Sequence, residues 1–176
     1  MTPRFRIAFA RPEDLADLHA LIRALADYER LTDMCVSTPA DIEAALFGPQ
    51  PAAEALIARE TDKSGPAAGF ALFFHTFSTF RGRRSLWLED LFVRPDARGA
   101  GLGRALLLEL AGIARDRGCE RFEWAVLDWN TAAIGFYEKQ GAVVLPDWRI
   151  ARVAGAALEA LAAQRQGAGV RPTSPR

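Results

Sequence analysis

Cysteine and histidine are scarce in this chain, with two of each among 176 residues. Cys35 and Cys119 lie too far apart in sequence to read as a disulfide framework or a metal-binding pair, so they read as free thiols of a reducing compartment. With only His19 and His75 to add, a zinc or iron centre would need mostly carboxylate ligands, and no cluster offers them. No metal is expected. Net charge is lacking too: 22 Lys+Arg balance 22 Asp+Glu. A nucleic-acid partner calls for a basic surplus to neutralise phosphate, so none is expected. No stretch approaches the roughly 20 apolar residues of a membrane span. Met1-Thr2-Pro3-Arg4-Phe5 has no apolar leader core. A cytoplasmic protein with no membrane partner is the expectation.

What is present is the balance of an ordinary globular domain, half hydrophobic and a quarter charged. One domain over residues 1–166 is expected, followed by a Gly/Pro/Ser/Arg-rich tail, 167–176, that reads as disordered. Residues 4–10 alternate well enough for a strand. Pro12 suits a first helical turn, and Leu15, Leu18, Ile22 and Leu25 then mark one face of a helix to about Arg30. Thr38-Pro39-Ala40-Asp41 caps a shorter helix that stops at Gly48-Pro49. Strands are expected at 54–60, 68–77 and 85–93, with a loop from Ser78 to Arg84. A helix follows 99–103, with Leu102, Leu106, Leu110 and Ile113 on one face. Next come a strand at 121–127, a helix from the Asn130 cap through Gln140 with Gly141 as its stop, and a last strand at 142–153 broken at Pro146-Asp147. Residues 156–163 read as helical. The fold class is α/β (α+β), a mixed sheet flanked by helices.

The segment richest in chemistry is Arg98-Gly99-Ala100-Gly101-Leu102-Gly103-Arg104, between a strand and a helix. Alternating glycines let the backbone approach a ligand closely and aim several N–H groups at one point. The helix N-terminus adds a partial positive charge, so the place suits phosphate. It is not a Walker loop, because no Gly-Lys pair occurs, and the dinucleotide spacing G-x-G-x-x-G closes on Arg104 or Leu106 rather than glycine. What it matches is R-x-x-G-x-G.

That loop, with Leu88-Glu89-Asp90-Leu91-Phe92-Val93, Asp128-Trp129-Asn130 and Phe136-Tyr137 before Gly141-Ala142, resembles the GNAT superfamily of N-acetyltransferases. The likeness over 86–141 is to its diamine (spermidine/spermine) branch and bacterial relatives, and it extends more weakly over 4–153. It implies a mostly antiparallel sheet with splayed central strands, acetyl-CoA as the acetyl donor, and a primary amine as acceptor. By the same resemblance the backbone of Leu91, Phe92 and Val93 holds the pantetheine arm, and Arg98, Gly99, Ala100, Gly101, Leu102, Gly103 and Arg104 cradle the pyrophosphate. Asn130, Thr131, Ala132 and Ala133 line the pantetheine side. Tyr137 lies beside the sulfur and protonates the departing thiolate, which a phenol of pKa about 10 suits. Glu89 takes the amine proton through water. Tyr28, Glu29, Glu89 and Asp90 receive the substrate, and members of this branch are homodimers paired through their C-terminal strands, here 142–153.

Glu89 and Asp90 are adjacent on a strand, so alternation puts their side chains on opposite faces. The stretch before Leu86 carries Arg81, Arg83 and Arg84 and no acid. A long polycation is poorly served there, whereas a lysine-like amino acid, with an amine to acetylate and a carboxylate beyond it, fits. Two alternatives stand beside the small-amine enzyme: an acetyltransferase of protein lysines or N-termini, and a non-catalytic CoA-binding domain.

Overall fold

The computed structural model describes residues 4–61 and 65–165. The expected tail, 167–176, and positions 62–64 lie outside the described residues. The chain divides into two compact units, Met1–Ile134 and Gly135–Arg176.

In chain order the first unit holds β1 (Phe5–Phe9), a 3-10 turn at Pro12–Asp14, α1 (Leu15–Glu29), α2 (Pro39–Phe47), β2 (Glu54–Glu60), β3 (Gly69–Ser78), β4 (Arg83–Val93), α3 (Leu102–Asp116) and β5 (Arg121–Trp124). The strands form one sheet in the order β1-β2-β3-β4-β5. The first three pairings are antiparallel, and β4–β5 is parallel. A parallel neighbour needs a crossover, and α3 is that crossover.

Local chemistry starts α2 and α4 (Thr131–Glu138) where the sequence suggests. Thr38 Oγ accepts from the Asp41 amide at 3.3 Å while Asp41 Oδ2 accepts from the Thr38 amide at 2.8 Å, a reciprocal cap at the head of α2. Asn130 Oδ1 accepts from the Ala133 amide at 3.2 Å at the head of α4. In α1 the buried face is Leu18, Leu21 and Leu25. It packs with Leu46 of α2 on Ala55, Ile57, Phe70 and Phe92. Leu18 is 0 % exposed, and burying one such side chain contributes about 2 kcal/mol. Helix α3 packs on β2, β3, β4 and β5, burying Leu102, Leu106, Leu107 and Leu110.

Three sequence expectations change in this unit. Strand β4 begins at Arg83 rather than after Arg84, because Arg84 pairs with Phe77 and Arg83 with Ser78. Gly82, at φ 63, turns the hairpin. Strand β5 ends at Trp124 instead of reaching Leu127. A bulge at Glu89 breaks the alternation of β4.

The second unit begins within α4. Gly141, at φ 91, ends that run, with the Ala142 amide donating to the Tyr137 carbonyl at 3.2 Å. The expected strand 142–153 does not form. The segment is irregular, and Val143 (79 % exposed), Trp148 (78 %) and Ile150 (69 %) stand in the open. β-branched composition raises strand propensity, but a strand exists only where its N–H and C=O groups find a partner. α5 (Ala156–Ala163) then forms as expected.

Candidate active site

The site starts from a break in the pairing of β3 with β4. Leu72 pairs with Asp90 and Phe73 with Leu88, so Glu89 is an extra residue in the ladder. Such a bulge shifts the strand's phase by one residue. Upstream, Leu88 and Leu86 pair with Phe73 and His75 on the α3 side. Downstream, Asp90 and Phe92 pair with Leu72 and Phe70, which face α1. Without the bulge Asp90 would share a face with Leu88.

The expectation that Glu89 and Asp90 face opposite ways is therefore overturned. Trp87, whose partner is Phe74, lies on the α1 side by register. Its Nε1 donates to Glu89 Oε2 at 2.9 Å, which turns the exposed Glu89 carboxylate toward that side. Asp90 is half-buried, as is Glu29 at the end of α1. Burial first, then the neighbouring charges of Glu89 and Glu29, push the Asp90 carboxyl up to about 6. Burial alone raises Glu29. The three acids brought together here repel one another and favour a cation among them, and the negative end of α1 adds to that preference.

Aromatic rings border the acids. Tyr28 and Trp129 lie 6.5 Å apart between centroids. The Arg98 guanidinium sits 4.7 Å from the Tyr28 ring and 5.6 Å from that of Phe92, and its Nε donates to the Val93 carbonyl at 3.0 Å. Arg98 thus ties the glycine loop to α1. Its stacking was not legible in the motif.

Beyond the bulge, β4 loses its neighbour. The β4–β5 ladder covers only Ser85–Leu88 against Arg121–Trp124. Leu91, Phe92 and Val93 remain paired with Ala71, Phe70 and Gly69 on the other edge, so toward β5 they have no strand neighbour, and only the Val93 carbonyl is engaged, by Arg98. The glycine loop follows at once. Gly99 and Gly101 have φ of 75° and 82°, and a Cβ at either would meet nothing within 4 Å. These positions face open space and need a conformation that side-chain-bearing residues rarely adopt. Gly101 caps α3, whose first bond runs from the Ala105 amide to the Gly101 carbonyl at 2.9 Å. The Leu102 and Gly103 amides precede that bond and have no acceptor within the helix.

The arginines before Leu86 do not gather at the acids. Arg81 pairs with Glu120 at 3.3 Å. Arg84 acts on His75, whose pKa is lowered by burial, then by Arg117, with Arg84 a further cause. That is the α3 side, opposite the acids. Arg83 precedes Glu89 by six residues, on the order of 20 Å along a strand. The carboxylate-reading role expected of this stretch has no geometric basis. In the second unit Tyr137 is half-buried, its ring 5.3 Å from Phe136.

Residues 19–142 match the family model described as the acetyltransferase (GNAT) family. The chain belongs to the GNAT family and is an N-acetyltransferase. It is 35% identical over 161 residues to a thialysine N-epsilon-acetyltransferase of Bos taurus, covering 87% of this chain and 94% of that one. With an L-ornithine N5-acetyltransferase of Arabidopsis thaliana it shares 31% identity over 198 residues, covering 89% and 87% of the two chains. Among solved structures, an integron cassette protein from the V. cholerae mobile metagenome superposes with a TM-score of 0.75 at 28% identity, over 90% of this chain and 98% of that one.

GNAT enzymes take their acetyl group from acetyl-CoA, and this GNAT chain fits that donor. The open edge at Leu91–Val93 can accept an extended amide-bearing arm as a sheet accepts a strand. The positive-φ glycines and the head of α3 suit a pyrophosphate.

Proposed function

We propose that this GNAT enzyme acetylates the primary amine of a small molecule, an ornithine- or lysine-like amino acid, a diamine or a polyamine. The observation that carries the reading is the convergence of Glu29, Glu89 and Asp90 at the bulge where β4 parts from β5. The relatives that act on thialysine and L-ornithine support it.

Acetyl-CoA, held by Leu91, Phe92, Val93, the loop from Arg98 to Arg104 and the Asn130–Ala133 turn, supplies a thioester carbonyl for direct attack. Glu29 and Asp90 draw in the ammonium form of the substrate. An alkyl ammonium of pKa about 10.4 is less than about 0.1 % free amine at pH 7, so a base must take its proton. Glu89 is exposed and anchored by Trp87. It accepts that proton through water, and Tyr137 gives one to the leaving thiolate.

Residues 1–166 act as one acetyltransferase domain. The free thiols Cys35 and Cys119 suit a cytoplasmic setting. Within the second unit, Val143, Trp148 and Ile150 form an exposed apolar run that a second copy of the chain would cover. The test is thiol release from acetyl-CoA against a panel of amino acids, diamines, polyamines and lysine peptides. Small amines should lead the panel, and Tyr137→Phe should lower kcat by roughly 10²-fold with little change in acetyl-CoA affinity. Release with peptides alone, or kcat unchanged in the variant, refutes the reading.

A further inference from the structure

Arg30 is the only residue other than glycine with positive φ among the described residues, at φ 61 and ψ 33. It ends α1 in the left-handed position. There its amide donates to the Asp27 carbonyl at 3.1 Å and the Leu31 amide donates to the Ala26 carbonyl at 2.8 Å. Helices that stop this way favour glycine, because a Cβ is strained at this φ. A long charged residue held where glycine is favoured suggests that its side chain has a task.

The side chain lies against the aromatic rim. Its guanidinium sits 5.8 Å from the centre of the Trp129 ring, and among the described residues no carboxylate pairs with it. The ring contact uses none of the guanidinium's N–H donors, which remain for a planar anion, a two-point match for a carboxylate. Arg30 follows Glu29 directly in the chain, and the Trp129 ring it touches lies 6.5 Å from that of Tyr28. Arg98 is less suited to this task, since its Nε is committed to Val93 and its face to Tyr28.

We infer that Arg30 binds the carboxylate of an amino-acid substrate whose distal amine lies among Glu29, Glu89 and Asp90, and so selects amino acids over diamines. The inference rests on the small-amine reading above and deepens it. In ornithine or lysine the carboxylate and the distal nitrogen are about 6–8 Å apart when extended, by standard bond lengths. A diamine of equal length presents a second cation to Arg30 instead.

The experiment compares ornithine and lysine with 1,4-diaminobutane and 1,5-diaminopentane in the wild type, Arg30→Gly, Arg30→Asn and Arg30→Lys. Glycine and asparagine both accept the left-handed position, so folding is preserved and the melting temperature of the glycine variant should equal or exceed that of the wild type. Both variants should lose at least tenfold in kcat/KM for the amino acids, mostly through KM, and gain a few-fold for the diamines. Arg30→Lys should keep most of the preference. Equal losses on both substrate classes, or an unchanged ratio, overturn the role of Arg30 and leave the small-amine reading standing. A wild type that acetylates neither amino acid overturns the role of Arg30, and one that acetylates none of the four and no polyamine overturns the small-amine reading as well.

Discussion

Neutralising Asp90 should make the folded protein more stable at neutral pH while harming its catalysis. Its carboxyl is displaced from 3.8 to about 6 by burial, Glu89 and Glu29. At 1.36 kcal/mol per pKa unit, that displacement is a destabilisation of about 3 kcal/mol when the group is ionised. The folded pKa lies above the unfolded one, so the folded state holds the proton more tightly. Asp90 therefore favours folding fully below about pH 4, and that contribution is lost as pH rises through about 6. Asp90→Asn mimics the protonated form. Its melting temperature should exceed that of the wild type by about 6–12 °C at pH 8, taking 2–4 °C per kcal/mol for a chain of this size. The two proteins should converge near pH 4. Comparing the pair cancels groups that titrate alike in both, such as Glu54, whose pKa the side-chain bond from Arg117 holds low. The assay is thermal unfolding followed by circular dichroism from pH 4 to 8. A difference below 2 °C at pH 8, or parallel curves throughout, refutes the argument. The same arrangement explains why such a costly group would be kept, since a bound ammonium relieves the repulsion that the empty cluster sustains.

Gly101→Ala introduces a Cβ into open space at φ 82. It should cost about 1–2 kcal/mol of stability through the backbone and weaken acetyl-CoA by tenfold or more, about 1.4 kcal/mol. Equal affinity by calorimetry removes the pyrophosphate from this loop. The apolar run at Val143, Trp148 and Ile150 should support a dimer at micromolar concentration, and light scattering that reports a fully active monomer rules that out.

Much of the architecture is written locally. The Thr38 and Asn130 caps, the leucine face of α1 and the glycines at 99 and 101 each act within a few residues, and a linear reading finds them. The R-x-x-G-x-G spacing and its neighbours likewise pointed to the acetyltransferase family. Two features leave fainter traces. The apolar positions of β4 slip from Leu86 and Leu88 to Leu91 and Val93, the phase change of a bulge. The first helix ends on Tyr28-Glu29-Arg30 with no glycine to stop it, which marks Arg30.

The rest belonged to pairings between distant segments. Whether 142–153 becomes a strand depends on a partner edge, and composition cannot provide one. Where β5 lets go of β4 follows from the ladder between Arg121–Trp124 and Ser85–Leu88. The same registers place Arg84 beside His75 and away from the acids. A one-residue shift in a ladder moves every later side chain to the other face. Sequence therefore determined which groups this enzyme carries, and tertiary pairing decided which of them meet.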